Sequence, residues 1–322
     1  MSMIKAGIIG GAGYTAGELV RILTYHPEVE LDFVYSTSRP GTPVSGVHQD
    51  LIGEIDLLFS GEINTEVDVV FLCLGHGNSV KFLAENKFSK NTKIVDLSTD
   101  FRMDGDHDFV YGLPEFKKDA IKTANFIANP GCFATAISLA ILPLAKAKKV
   151  EDEWHVNAVT GATGAGVSLS ATTHFTWRDN NFSAYKSFEH QHLNEIGQSL
   201  KWLQPDFDST VNFIPNRGNF SRGIHATAYT KFTGSLEDAK AIYTEQYKDA
   251  AFTFVTEENI HLKQVVNTNK CLLKLEKFGD KLLITSVIDN LLKGASGQAV
   301  QNMNLIFGLP EDSGLHIKAS YF

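Results

Sequence analysis

Residues Val67 to Leu74 read VDVVFLCL, a nearly unbroken apolar run between an acid-rich and a glycine-rich end. A strand that is apolar on both faces of its pleat must be covered on both faces. That is the setting of a central strand in a parallel sheet flanked by helices. The neighbouring segments supply the rest of such a fold. Lys5 to Gly10 reads as a first strand, Tyr14 to Tyr25 as a helix stopped by His26-Pro27, and Val29 to Tyr35 as a second strand. Ser79 to Asn86 reads as helix and Lys93 to Ser98 as strand. The alternation predicts an α/β chain built on a Rossmann-type doubly wound sheet.

The pattern changes after about residue 150. Trp154 to Thr160, Val211 to Ile214, Gly223 to Phe232, Cys271 to Phe278 and Lys281 to Asp289 read as strands, with helices near 186–203 and 236–250. Gly279-Asp280 suits a hairpin between the last two strands. This half reads as an α+β domain with a largely antiparallel sheet, and Gly294 to Phe307 returns to helical periodicity. A chain of 322 residues is long for one core, in keeping with two domains.

Composition excludes several roles. A net charge of −8 argues against a general nucleic-acid binder or an anionic membrane surface, both of which call for a basic face. The N-terminal apolar stretch is too short for a signal-peptide core. No segment reaches the roughly 18 apolar residues that a membrane helix needs. Cys73, Cys132 and Cys271 lie far apart, an odd and sparse set that suits a reducing compartment, so a cytoplasmic location is expected. No CxxC or HExxH spacing occurs, and the pair His190 and His192 lacks a third ligand in view, so no metal is expected.

Gly10-Gly-Ala-Gly13-Tyr14-Thr15-Ala16-Gly17 joins the first strand to the first helix. Glycines allow a tight turn close to a pyrophosphate, and the helix-start amides then bind its charge. The spacing is GxxGxxxG, not the strict dinucleotide fingerprint, and a turn that binds nothing also accommodates it. The second strand ends in Tyr35-Ser-Thr-Ser38-Arg39, with no acid to hold a ribose hydroxyl. Hydroxyls and a guanidinium suit a 2'-phosphate, which favours NADP over NAD; a plain surface loop is the competing reading.

Asn125 to Ala128 reads as strand, Asn129-Pro130-Gly131-Cys132 as a turn, and Phe133 to Leu144 as a buried helix. Cys132 therefore stands at a helix N-terminus, where amides and the helix dipole stabilise a thiolate and can hold an oxyanion. A thiolate attacks an acyl phosphate to give a thioester that hydride can reduce. Small-residue packing is the alternative for this cysteine taken alone. A histidine titrates in the range that such a thiol and its intermediate need.

The chain resembles the N-acetyl-gamma-glutamyl-phosphate reductase family, relatives of aspartate-semialdehyde dehydrogenase. The carriers are GxxGYTAGEL at 10–19, DLSTDFR at 96–102, YGLPE at 111–115, NPGC at 129–132, HQHLNEI at 190–196, SRGI at 221–224 and DNLLKGASGQAVQNMN at 289–304. The resemblance implies reversible conversion of an N-acyl-glutamyl phosphate to the semialdehyde in arginine biosynthesis, with NADPH giving hydride and phosphate leaving. It implies that Cys132 is the nucleophile and that His190, first histidine of the family's HRHxPEI motif, is the acid/base. It implies an NADP-binding domain at 1–131 and 294–322, a catalytic and dimerisation domain at 132–293, and a homo-oligomer, dimer or tetramer.

Substrate candidates within these motifs are Ser98, Arg102, Asn129 and Arg222, each arginine being equally compatible with a structural ion pair. Gly75, in the turn Leu74-Gly-His-Gly77, is a cofactor candidate, as are Lys293 and Gly294, which fit a helix cap or turn as well. Gln191 and Asn194 replace the family's usual arginine and proline, and Thr160–Val167 lacks the basic residue that ends the family's glycine-rich stretch. These lost cations leave the N-acyl group open between acetyl and succinyl. Aspartate-semialdehyde dehydrogenase and, in another class, an NADPH-binding regulatory protein are the competing functions.

Overall fold

The computed structural model describes residues 2–322. The chain forms two compact units, Met1–Pro130 with Ala295–His316, and Gly131–Gly294 with Ile317–Phe322.

The first unit holds strands β1 (Ile4–Ile9), β2 (Val29–Tyr35), β3 (Val69–Leu72), β4 (Lys93–Asp96), β5 (Phe109–Tyr111) and β6 (Phe126–Ala128). They pair in the order β2-β1-β3-β4-β6-β5, every pair parallel. All four residues of β3 are 0% exposed, as the two-faced apolar run requires. The helix Tyr14–Thr24 follows β1, and a closing helix, Gly297–Ile306, returns from far down the chain. The closing helix is buried all round although Gln298, Gln301, Asn302 and Asn304 lie on it. Such burial is offset where the amides are bonded. Asn302 Nδ2 donates to Gly112 O at 2.9 Å and to Asn129 Oδ1 at 3.1 Å, while Asn304 meets His26 Nε2 at 3.0 Å.

The second unit holds β7 (Trp154–Thr160), β8 (Ser183–Ala184), β9 (Val211–Arg217), β10 (Ile224–Lys231), β11 (Thr253–Val255), β12 (Cys271–Phe278) and β13 (Lys281–Ile288). Their order is β11-β12-β13-β10-β7-β9-β8. The sheet is mixed: β7/β9 and β11/β12 pair parallel, the other neighbours antiparallel. Gly279, at φ +62°, turns the expected hairpin between β12 and β13. The cysteine helix, Cys132–Lys146, packs on β10 and β13 and is buried from Phe133 to Ala145. Pro143 inside it cannot donate to Leu139 O. The Tyr247 hydroxyl donates there instead, at 2.5 Å, and Tyr243 serves Ala140 O in the same way.

One expectation needs correction. The helix foreseen from 186 begins only at His192, because Lys186 (φ 46°) and Phe188 (φ 63°) lie in the left-handed region and break the helical path. Residues 317–322 group with the second unit, where Ser320 N donates to Val266 O. Among the described residues no helix is long and apolar enough to cross a membrane.

Candidate active site

In the first unit, the β1 turn sits at the C-terminal end of the parallel sheet, where open α/β sheets bind ligands. Gly10 has φ +82°, and a Cβ on it would lie 2.6 Å from Cys73 O, so glycine alone fits. Gly10 and Gly11 donate to Tyr35 O, and Gly13 caps the helix. Tyr14, Thr15 and Ala16 form its first turn, which carries no acid, and Ser296 Oγ donates to Thr15 O at 2.8 Å. The cradle is therefore open to an anion and held in shape from behind. Ser38 and Arg39 are exposed just past β2, with no acid paired to Arg39 among the described residues. This donor set fits the phosphates of NADP. Gly75 is exposed in the turn after β3, and its carbonyl accepts Asn78 N.

The substrate candidates fare differently. Ser98 is 0% exposed and its hydroxyl donates to Asp96 Oδ2 at 2.7 Å. Asn129 Nδ2 donates to Ala295 O at 3.0 Å and its Oδ1 accepts from Asn302. Both side chains bond groups of the fold itself. Arg102 is buried, donates to Leu97 O at 2.8 Å and lies near Asp96. Burial pushes the Asp96 carboxyl upward, while bonds from Ser79 and Ser98 and the charge of Arg102 oppose that. Within the second unit, Arg222 meets Asp289 Oδ2 through Nε and Nη2, each at 3.0 Å, the structural ion pair that its sequence allowed.

The second unit gathers the chemistry around the start of the cysteine helix. Gly131 is the N-cap, Cys132 the first residue, and no acid stands in the first turn. The other thiols are spent otherwise: burial pushes Cys73 up to about 12, and Cys271 is buried beside Ser286. His190 is 6% exposed and packs edge-on against Phe133, the residue after the thiol, and against Phe213 and Tyr185. Burial, reinforced by Lys186 and Arg217 and opposed by Glu195, pushes the imidazole down to about 4, so it is neutral at pH 7. Its Nδ1 accepts the His192 amide at 3.3 Å, too long a bond to fix the tautomer.

Sequence reasoning passed over three residues here. Glu195 Oε2 accepts the Gly131 amide at 2.9 Å and its other oxygen lies 3.8 Å from His192 Nε2, so one carboxylate anchors both the cysteine turn and the second histidine. It sits inside HQHLNEI, a motif read only for its histidines. Tyr185 and Arg217 pair beside His190, and no local signal marks either. Gly294 proves to lie against the nucleophile: a Cβ there would be 2.8 Å from Cys132 Cβ. Lys293 beside it is wholly buried. Among the described residues no cluster of three His, Cys, Asp or Glu could hold a metal.

Residues 5–124 match the family described as semialdehyde dehydrogenase, NAD binding domain, and residues 132–290 the semialdehyde dehydrogenase dimerisation domain. The N-acetyl-gamma-glutamyl-phosphate reductase of Christiangramia forsetii is 75% identical over 99% of this chain and 100% of its own length. This chain belongs to the N-acetyl-gamma-glutamyl-phosphate reductase family. The family's namesake from Flavobacterium johnsoniae is 62% identical and that from Bacteroides fragilis 56%, each over 99% of this chain and 100% of its own length. The fold extends to more distant proteins. An aspartate semialdehyde dehydrogenase from Vibrio cholerae superposes with a TM-score of 0.72 at 16% identity, covering 96% of this chain and 99% of its own. One from Candida albicans solved with NADP gives 0.70 at 16%, covering 95% and 99%. The family's cofactor class agrees with the cradle at Gly10–Ala16.

Proposed function

We propose that the chain reduces N-acetyl-gamma-glutamyl phosphate to N-acetyl-glutamate 5-semialdehyde with NADPH, reversibly and with release of phosphate, as a step of arginine biosynthesis. The observation that carries this reading is the thiol of Cys132 at an acid-free helix start, with a buried neutral histidine packed on the next residue. The names of the relatives supply the substrate.

The Cys132 sulfur attacks the acyl carbon, and the bond from that carbon to the phosphate oxygen breaks. The neutral His190 imidazole takes the thiol proton as the sulfur–carbon bond forms. The Gly10–Ala16 cradle would hold the pyrophosphate of NADPH, with Ser38 and Arg39 at its 2'-phosphate, and the bound cofactor would supply the hydride that reduces the thioester. Amides at the start of the cysteine helix hold the resulting oxyanion. As the carbonyl re-forms, the sulfur–carbon bond breaks and His190 returns its proton to Cys132, leaving the aldehyde. Glu195 keeps the Gly131 turn and His192 in place throughout. Gly75, Lys293 and Gly294 are further candidates for contacting the cofactor. Arg102 remains the candidate for the phosphate. The proposed assembly is a homo-oligomer, dimer or tetramer, supported by the dimerisation-domain match, and the proposed location is the cytoplasm, supported by three cysteines outside any disulfide.

The test is phosphate-dependent reduction of NADP by N-acetyl-glutamate semialdehyde, before and after alkylation of Cys132. Robust turnover abolished by alkylation is expected. Activity with aspartate semialdehyde alone would overturn the assignment.

A further inference from the structure

Arg217 is a cation that the fold places deliberately and does not neutralise. It ends β9, where its backbone pairs with Thr160 on one side and Ser183 on the other. Its guanidinium carbon lies 4.7 Å from the centre of the Tyr185 ring. Its charge is felt at His190. The Tyr185 ring in turn packs edge-on against His190 with centroids 5.8 Å apart, so the cation stands one ring away from the histidine. No acid pairs with it among the described residues, and its Nε is buried with no hydrogen-bond partner.

The surroundings make this placement costly. Arg178, 7% exposed, donates to the Arg217 carbonyl at 2.5 Å and adds a second positive charge, and Lys186 adds a third beside His190. The nearby acid, Glu195, is already bonded to Gly131. A partly buried guanidinium with an unused donor edge, in a chain whose net charge is −8, is an unmet demand for a planar anion. A carboxylate satisfies it through two parallel N–H···O bonds, using Nε and one terminal nitrogen.

We propose that Arg217, steadied by Tyr185, is a substrate-binding residue that holds a carboxylate of the acyl substrate beside Cys132 and His190. This rests on the reductase reading. The carboxylate has two sources, the α-carboxylate of the glutamyl group or a second carboxylate on the N-acyl group.

The experiment compares kcat/KM for N-acetyl-glutamate semialdehyde, its α-carboxamide and N-succinyl-glutamate semialdehyde in wild type, Arg217→Met and Arg217→Lys. Thermal melting and NADPH binding serve as controls for folding. Wild type is expected to discriminate roughly tenfold to a hundredfold in favour of the carboxylate that Arg217 holds, the scale of one or two charge-assisted bonds. In Arg217→Met that ratio should collapse toward one through KM, with Arg217→Lys intermediate. A collapse of the acid-over-amide ratio assigns the α-carboxylate; a collapse of the succinyl-over-acetyl ratio assigns the acyl carboxylate. Wild-type ratios retained in Arg217→Met would overturn the proposal. Absence of turnover by wild type on all three would instead count against the reductase reading. The Arg217 proposal would then stand or fall on alkylation of Cys132. Wild type should favour iodoacetate over iodoacetamide more strongly than Arg217→Met does, and equal preference would overturn it.

Discussion

The helices Ser79–Glu85 and Cys132–Lys146 both present a cluster of amides and a positive dipole end, but only one of them is plugged. Asp100 fills the first: its oxygens accept Gly77 N at 2.6 Å, Ser79 N at 2.9 Å and Val80 N at 3.2 Å. At the second no acid occupies the first turn, and Glu195 bonds the Gly131 amide just before it. The fold thus neutralises a helix end with its own carboxylate where the helix is only architecture. It leaves the dipole available where a sulfur anion has to form.

The strongest challenge to this contrast is Cys132→Ser. Turnover should fall to background while NADPH binding, followed by fluorescence titration, is retained, since a hydroxyl at the same helix end is a far weaker nucleophile. Persistent turnover would mean that the open helix end is not where bonds are made. His190→Asn should lower kcat by roughly a hundredfold or more. A rate close to wild type would move the acid/base role to His192.

Acidity probes the same histidine through stability. The folded protein holds His190 at about 4, below the ordinary 6.5, so between those values the unfolded chain binds a proton that the folded chain refuses. Stability is therefore lost as pH falls from 6.5 toward 4, by about 3 kcal/mol at the acid end. His26 and His225, also lowered chiefly by burial, act in the same direction. Urea midpoints at pH 7 and 4.5 should fall less steeply in His190→Asn than in wild type; identical slopes would remove His190 from the account. The smallest effect belongs to the plugged helix. Asp100→Ala should cost about 1 kcal/mol of stability, seen as a lower melting temperature, with the alkylation rate of Cys132 unaltered.

What could be read from sequence was whatever repeats along it. Val69–Leu72 announced a two-faced strand, the Gly10 turn announced a βα junction, and the apolar run from Phe133 placed Cys132 at a helix start. What escaped was polar pairing between distant segments. Glu195 and Gly131 are 64 residues apart, and Arg222 and Asp289 are 67 apart, and neither pairing leaves a local periodicity. The same blindness covers Ser98 and Asn129: nothing in their motifs shows the bonds that they make to Asp96 and Asn302. Arg217 is the reverse case, a binding candidate in a segment with no motif at all.

The closing helix sets an order of events during synthesis. Asn302 bonds Gly112 and Asn129, and Asn304 reaches back 278 residues to His26. On the ribosome the first six strands emerge early, yet the helix that satisfies these groups leaves the exit tunnel only after the whole of 131–294 has been made. The N-terminal sheet must therefore wait, incompletely covered, while the unit encoded after it has every chance to fold first. The part of the protein translated first depends on a helix that is translated nearly last.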